Sequence, residues 1–329
     1  ISLNINKMKN ILIYNSGGGL GDSILLFDLV TSLKTNFEDA SLFYLGAHEN
    51  HFRGSLKEYG INIPTLEMGL KYFGFRWKHL FLAKKKFNKN SINKFDLIID
   101  LQSKIRNTLI LNRIPSKFFY SSTLNYFFST NKKNYISTKN DLNLILKNIG
   151  KLIDKEISMQ KYDIKNINSK YFEEAKRLLP ENKYIGISLT QGNTYRKKSW
   201  SLNKFINLSK SIFNKGYKPV FFLNNNDKEL IDNIKLEIND ALFPELETNL
   251  SCPALITAMA TRLEKAISID NGIMHMIGLA NIPMIVLFGP TNSKKFAPKI
   301  DNIKIIDSKI LNKSDDIETI NEEDVLEFI

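Results

Sequence analysis

Six consecutive residues, Asp270-Asn271-Gly272-Ile273-Met274-His275, bring together a carboxylate, an amide, an unhindered backbone and an imidazole. Strand-like Lys265-Ala266-Ile267-Ser268-Ile269 precedes them. Met276 to Ala280, Ile282-Pro283, a second strand at Met284 to Phe288 and a Gly289-Pro290-Thr291 turn follow. This reads as strand, polar turn, short helix, strand, loop. Parallel α/β folds place ligands at the carboxyl ends of their strands. A helix starting near Asn271 or Gly272 would point unpaired backbone N–H groups at an anion such as a diphosphate. The segment reads as a site rather than as packing, although Asp270 could be no more than a helix cap and His275 no more than a satisfied helix histidine.

A second candidate lies near the start of the chain. Ser16-Gly17-Gly18-Gly19-Leu20-Gly21-Asp22 follows strand Ile11 to Tyr14. The dinucleotide fingerprint G-x-G-x-x-G fails, because counted from Gly17 its last position is Asp22. No ribose-binding acid ends the next strand, and no Gly-Lys-Ser/Thr follows, so the phosphate-binding loop of nucleotide hydrolases is excluded as well. The loop offers a pliable backbone that sets Asp22 at a helix N-terminus. That residue is either a helix cap or a reactive carboxylate.

The elements that must position these groups alternate. In the first half, strand Ile11–Tyr14 is followed by a helix from Ser23 through Lys34, with Leu25, Leu26, Leu29, Val30 and Leu33 at helical spacing. Strands Leu42–Leu45 and Leu97–Asp100 come next. Between them, residues 71–89 interleave aromatic and basic side chains. The second half restarts the pattern: strand Tyr184–Ile187, loop Thr190–Ser199, helix Leu202–Lys215 closed by Gly216, strand Val220–Leu223, helix Asp227 to about Glu237, and a helix opened by Ser251 and Pro253. Alternation predicts parallel sheets with right-handed crossovers. Two such halves predict an α/β architecture of two Rossmann-like domains facing across a cleft, residues 1–165 and 166–329. The polar stretch 150–170 serves as linker, and the last helix is free to pack back on the first domain. Met8 leads straight into the first strand and reads as close to the native start.

The chain has 329 residues, 43% of them hydrophobic, and a formal net charge of +12. No apolar run approaches the ~20 residues of a membrane span, and no secretory signal is visible. One cysteine, Cys252, excludes an internal disulfide or a cysteine-based zinc site. The four histidines, His48, His51, His79 and His275, follow no metal-ligand spacing. The charge has two readings: a Lys/Asn/Ile-rich coding bias, or attraction to nucleic acid or an anionic membrane. No nucleic-acid-binding motif is present.

Taken in order, Gly21-Asp22, Asp100-Leu101-Gln102, Lys198-Ser199-Trp200, Asp270-Asn271-Gly272-x-x-His275 and Phe288-Gly289-Pro290-Thr291 resemble the motifs of glycosyltransferase family 9, the heptosyltransferase-like enzymes of GT-B fold. The resemblance covers most of the chain. It implies an inverting, metal-independent, cofactor-free transfer of a sugar. The donor would be a nucleotide-sugar such as ADP-heptose, and the acceptor a lipopolysaccharide core or related anionic glycan, in the cytoplasm or at the inner face of the inner membrane. By position, Asp22 takes the general-base role. Thr190, Gln191, Lys198, Asp270, Asn271, Gly272 and His275 take donor positions, with Asp227 and Glu229 as candidates for the ribose. Gly19, Gly21, Gln102, Lys104 and Arg106 fall to the acceptor. Asn271 stands where the family has Ser or Thr, and Asn224-Asn225-Asn226 replaces a glycine-rich turn. A sugar-nucleotide epimerase and a non-catalytic nucleotide-sugar binder are the competing readings. The basic aromatic stretch at 71–89 is either an amphipathic helix packed on its sheet or a surface resting on anionic lipid.

Overall fold

A computed structural model describes residues 7–15, 17–138, 141–192 and 195–329. Residues 1–6 lie outside the described residues, and with them most of the segment ahead of Met8. So do Ser16 of the glycine loop and Asn193 and Thr194 of the Thr190–Ser199 loop. The chain divides into two compact units: one runs up to Lys57 and from Ile61 to Tyr162, the other joins Glu58–Gly60 to Asp163–Ile329.

The first unit holds β1 (Asn10–Tyr14), α1 (Leu20–Ile24), α2 (Phe27–Asn36), β2 (Ser41–Leu45), α3 (His79–Phe87), β3 (Phe95–Asp100), α4 (Ile105–Leu111), β4 (Ser116–Ser121) and α5 (Leu142–Ile153). Its sheet is parallel, in the order β2-β1-β3-β4. Central β1 and β3 are almost uninterrupted apolar runs, Ile11-Leu12-Ile13-Tyr14 and Leu97-Ile98-Ile99, as strands covered on both faces require. The single helix expected over 23–34 is instead two. Leu26 N–H bonds to Ser23 O in a tightened turn, and α2 restarts beyond it. Only part of the 71–89 stretch is helical: α3 buries His79, Ala83 and Phe87, while residues 71–78 form turns.

The second unit holds α6 (Ser169–Leu178), β5 (Tyr184–Ser188), α7 (Leu202–Asn214), β6 (Lys218–Phe221), α8 (Lys228–Glu237), α9 (Pro253–Ala260), β7 (Lys265–Ile269), α10 (Gly272–Gly278), β8 (Met284–Phe288), α11 (Ser293–Phe296), β9 (Ile303–Asp307), α12 (Ser308–Leu311) and α13 (Glu322–Leu326). Its five strands are parallel in the order β6-β5-β7-β8-β9. Strand β6 begins two residues before its expected start, because Lys218 N–H bonds to Lys183 O at the head of β5. Helix α9 is capped at Cys252, not Ser251, whose hydroxyl goes to Glu245. The core is a continuous cluster between this sheet and its helices, including Ile187, Trp200, Phe205, Ile267 and Leu287. The last helix, α13, packs on α7 within the same unit. Among the described residues no helix is long and apolar enough to cross a membrane.

Candidate active site

In the second unit the carboxyl ends of adjacent β5 and β7, paired at Ser188 and Ser268, deliver the predicted residues to one edge. Asn271 is the N-cap of α10. Its Oδ1 accepts from Met274 N–H at 2.8 Å, and its Nδ2 donates to Ser188 Oγ at 2.8 Å and to Thr190 O at 3.0 Å. One amide thus starts the helix and ties the β7 turn to the β5 loop. A Ser or Thr could cap but is too short to make the second link. A Cβ built on Gly272 meets nothing within 4 Å, so the first turn of α10 faces open space. His275 is buried one turn along this helix.

Lys198 Nζ sits 3.1 Å from Asp270 Oδ2, with side chains 21% and 7% exposed. Gln191, assigned to the donor by position, holds the loop that carries Lys198. Its Oε1 accepts from the N–H groups of Lys198 (2.8 Å) and Ser199 (3.0 Å), and its Nε2 donates to Arg196 O at 2.5 Å. Two residues past the lysine, buried Trp200 stacks edge-on against Phe205 and donates from Nε1 to Ile320 O. The lysine is therefore fixed from both sides. At the neighbouring turn, Lys309 Nζ donates to the carbonyls of Gly289 and Thr291.

The ribose candidates sit at the end of β6. Asp227 Oδ2 accepts from Asn224 N–H at 3.0 Å in a capping box, and Glu229 is exposed on the first turn of α8. A third acid, Glu245, was not visible in the pattern. It is buried, and Ser251 Oγ donates to it at 2.8 Å. Burial, with a smaller contribution from the Asp227 charge, holds its carboxyl above the usual range. What brings it there is the bridge between Val220 and Leu242, which lays the 242–247 segment beside β6. No local sequence signal announces that pairing.

In the first unit, Asp22 lies in the first turn of α1, which begins three residues earlier than expected. Its Oδ2 accepts from Gly19 N–H at 3.2 Å, and its Oδ1 takes no hydrogen bond among the described residues. The glycines are required here. A Cβ on Gly17 would stand 2.7 Å from Asp22 Cγ, and one on Gly18 2.8 Å from the His48 ring. His51 Nε2 lies 3.0 Å from Gly18 O. Two histidines that share no motif with the loop thus wall it. Tyr44 is buried beneath, and burial together with the Asp22 charge pushes its hydroxyl up to about 12.

At the end of β3, Asp100 is a strut rather than a ligand. It is buried. Thr108 and Ser121 donate to its Oδ2 at 2.5 and 2.8 Å, and Gln102 and Ser103 N–H to its Oδ1 at 3.0 and 3.2 Å. These bonds fix the turn that presents half-buried Gln102 and exposed Lys104, the N-cap of α4. Arg106 donates from Nε to Gly74 O at 3.1 Å and covers the Phe75 ring, so its guanidinium is partly engaged. Among the described residues no group of three or more His, Cys, Asp or Glu could hold a metal ion.

Two parallel α/β units, with sheets of four and five strands, give the chain the GT-B architecture. Residues 86–326 match the family described as Glycosyltransferase family 9 (heptosyltransferase), and the chain belongs to that family. It is similar in structure to a family 9 glycosyl transferase from Veillonella parvula (18% identity, 99% of this chain and 97% of that one, TM-score 0.67). It is likewise similar to E. coli heptosyltransferase WaaC with ADP (14%, 97% and 96%, 0.66) and to E. coli ADP-heptose lps heptosyltransferase II (15%, 97% and 97%, 0.61). A search of curated proteins finds no match.

Proposed function

We propose that the protein transfers a heptose-like sugar from a nucleoside-diphosphate donor, ADP-heptose in type, to an anionic lipopolysaccharide-core or related glycan at the cytoplasmic face of a membrane, with inversion and without a metal. The first unit takes the acceptor and the second the donor. The single observation that carries this reading is the Lys198–Asp270 pair beside the open first turn of α10. It is a cation fixed in advance where a leaving diphosphate gains charge.

In the proposed step the acceptor hydroxyl oxygen attacks the anomeric carbon while the bond to the phosphate oxygen breaks. The hydroxyl proton passes to Asp22 Oδ1, and the nucleoside diphosphate departs with the electron pair. Lys198 and the Gly272 and Ile273 N–H groups take up its negative charge. General-base assistance of this kind contributes ~10²–10⁴ in rate. Asp227 and Glu229, with the buried Glu245 beside them, are the candidates for the ribose hydroxyls. Titration calorimetry with ADP, UDP and GDP tests the donor assignment: selective ADP binding supports it, and absence of binding by all three contradicts it.

A further inference from the structure

The net charge is not spread over the molecule. Residues 1–162 carry 24 Lys and Arg against 12 Asp and Glu, whereas residues 163–329 carry 22 of each. Basic residues are about as frequent in both parts, so a lysine-rich coding bias explains their number. It does not explain the missing acids. From Met68 to Phe95 there are eight cations and no acid, and from Leu101 to Asn140 seven and no acid.

The same two segments hold the most exposed aromatic and aliphatic side chains among the described residues of the first unit: Phe81 (81%), Phe127 (63%), Leu124 (61%) and Trp77 (55%), with Tyr72 and Phe75 beside them. They are displayed on a fixed backbone. Gly74, at φ +88°, donates its N–H to His79 Nδ1 and accepts from Arg106 Nε, and Tyr14 Oη, itself held by Asn107, donates to Phe73 O. Leu124, Asn125 and Tyr126 are all left-handed (φ 49°, 52° and 65°), a conformation disfavoured for residues with a Cβ. It carries Leu124 and Phe127 outward. Lys132 lies over the Phe127 ring at 4.6 Å. Arg106 over Phe75 ties the two segments together at the carboxyl edge of the sheet, and within the second the Ser103 and Ser122 hydroxyls stand 2.5 Å apart.

We propose that this edge docks on an anionic phospholipid bilayer, its cations meeting phosphate headgroups while Phe81, Leu124 and Phe127 enter the interface. Apolar anchors among lysines are what interfacial binding needs, with anionic lipid and buried apolar area each contributing. A nucleic-acid surface would call for aromatic stacking platforms along a groove, and Leu124 cannot stack a base. The inference adds a surface to the reading of a membrane-borne acceptor. It rests on charge and exposure alone, and since plain vesicles contain no glycan, its failure leaves the transfer reaction untouched.

The chain carries its own probe. Of its two tryptophans, Trp77 is exposed and Trp200 is buried in the other unit. Full-length protein is sedimented with vesicles of mixed phosphatidylglycerol and phosphatidylcholine, and with phosphatidylcholine alone, while tryptophan emission is recorded. Expected are pelleting with the anionic vesicles only, a blue shift of emission, and release by salt. Phe81→Ser and Phe127→Ser should each weaken partitioning about tenfold, and Lys84→Glu with Lys85→Glu about fivefold per cation. Phe81, Lys84 and Lys85 of α3 and Phe127 beyond β4 are all exposed, so the variants keep the fold, as melting curves verify. No pelleting at low salt overturns the proposal. So does pelleting that neither shifts the emission nor responds to the Phe variants, and so does displacement from vesicles by an equal mass of RNA homopolymer.

Discussion

Asp22 is held by one oxygen and open at the other, an arrangement that separates its two candidate roles. Asn at this position can still accept the Gly19 N–H, so helix α1 keeps its first turn. It cannot accept a proton. Asp22→Asn is therefore expected to lower kcat by ~10²–10⁴ with donor affinity and melting temperature nearly unchanged; normal turnover in this variant would make the residue a cap. Lys198 needs a subtler test. Lys198→Ala should weaken nucleoside-diphosphate binding by roughly 1–3 kcal/mol, but it also strands Asp270, which is nearly buried. Breaking such a pair costs about 3–5 kcal/mol of stability when the remaining charge is left without a partner. Adding Asp270→Asn to Lys198→Ala should restore melting temperature without restoring affinity. Calorimetry and melting on the three variants check it, and recovery of affinity in the double variant would remove Lys198 from the donor site.

At the scale of elements, the turn after β3 is governed by a buried acid. Burial raises the Asp100 carboxyl above its ordinary range, against the opposing pull of Thr108, Ser121 and two backbone donors. A raised carboxyl means that the folded state holds a proton the unfolded chain has released. Its contribution to stability is therefore present below the ordinary carboxylate pKa and diminishes as pH rises from there to the raised folded value. Asp100→Asn, which retains an acceptor for both N–H groups, should show a flatter urea midpoint over that interval than the parent chain. Parallel midpoint-versus-pH curves would contradict this. The turn around Gly74 makes a sharper prediction. At φ +88° a Cβ would stand 2.3 Å from Tyr14 Oη, so Gly74→Ala should destabilise by about 2–4 kcal/mol. Denaturant titration measures it, and a neutral result would mean that the aromatic loop is not fixed as described.

For the molecule as a whole, the proposed function assigns the leaving-group charge to Lys198 and the start of α10. Turnover is expected to persist after exhaustive treatment with chelator. Loss of activity that magnesium restores would show that a cation supplies what Lys198 and α10 are proposed to supply. The distribution of charge, all of the +12 within residues 1–162, also predicts that salt affects encounter with an anionic acceptor more than binding of the donor.

Residue order determined the alternation of strands and helices, the parallel sheets, and the strand-end positions of Asp22, Lys198 and Asp270, because central parallel strands such as Ile11–Tyr14 and Met284–Phe288 are near-continuous apolar runs that end abruptly in polar turns. Strands β4 and β9 were not read from it. Both are sheet edges, where one side lacks a neighbour, and polar residues interrupt the apolar pattern: Ser116, Lys117 and Ser121 in β4, Lys304 and Asp307 in β9. Only tertiary structure decided what the polar side chains do once assembled. Asn271 joins two strands, Gln191 clamps the lysine loop, Asp100 is buried in hydroxyls, and His48 and His51 close on the glycine loop from a different strand end. The Asn271 and His51 contacts join segments far apart in the chain, and those of Gln191 and Asp100 depend on how a loop folds back on itself. Spacing within one segment carries no information about its neighbour across the sheet.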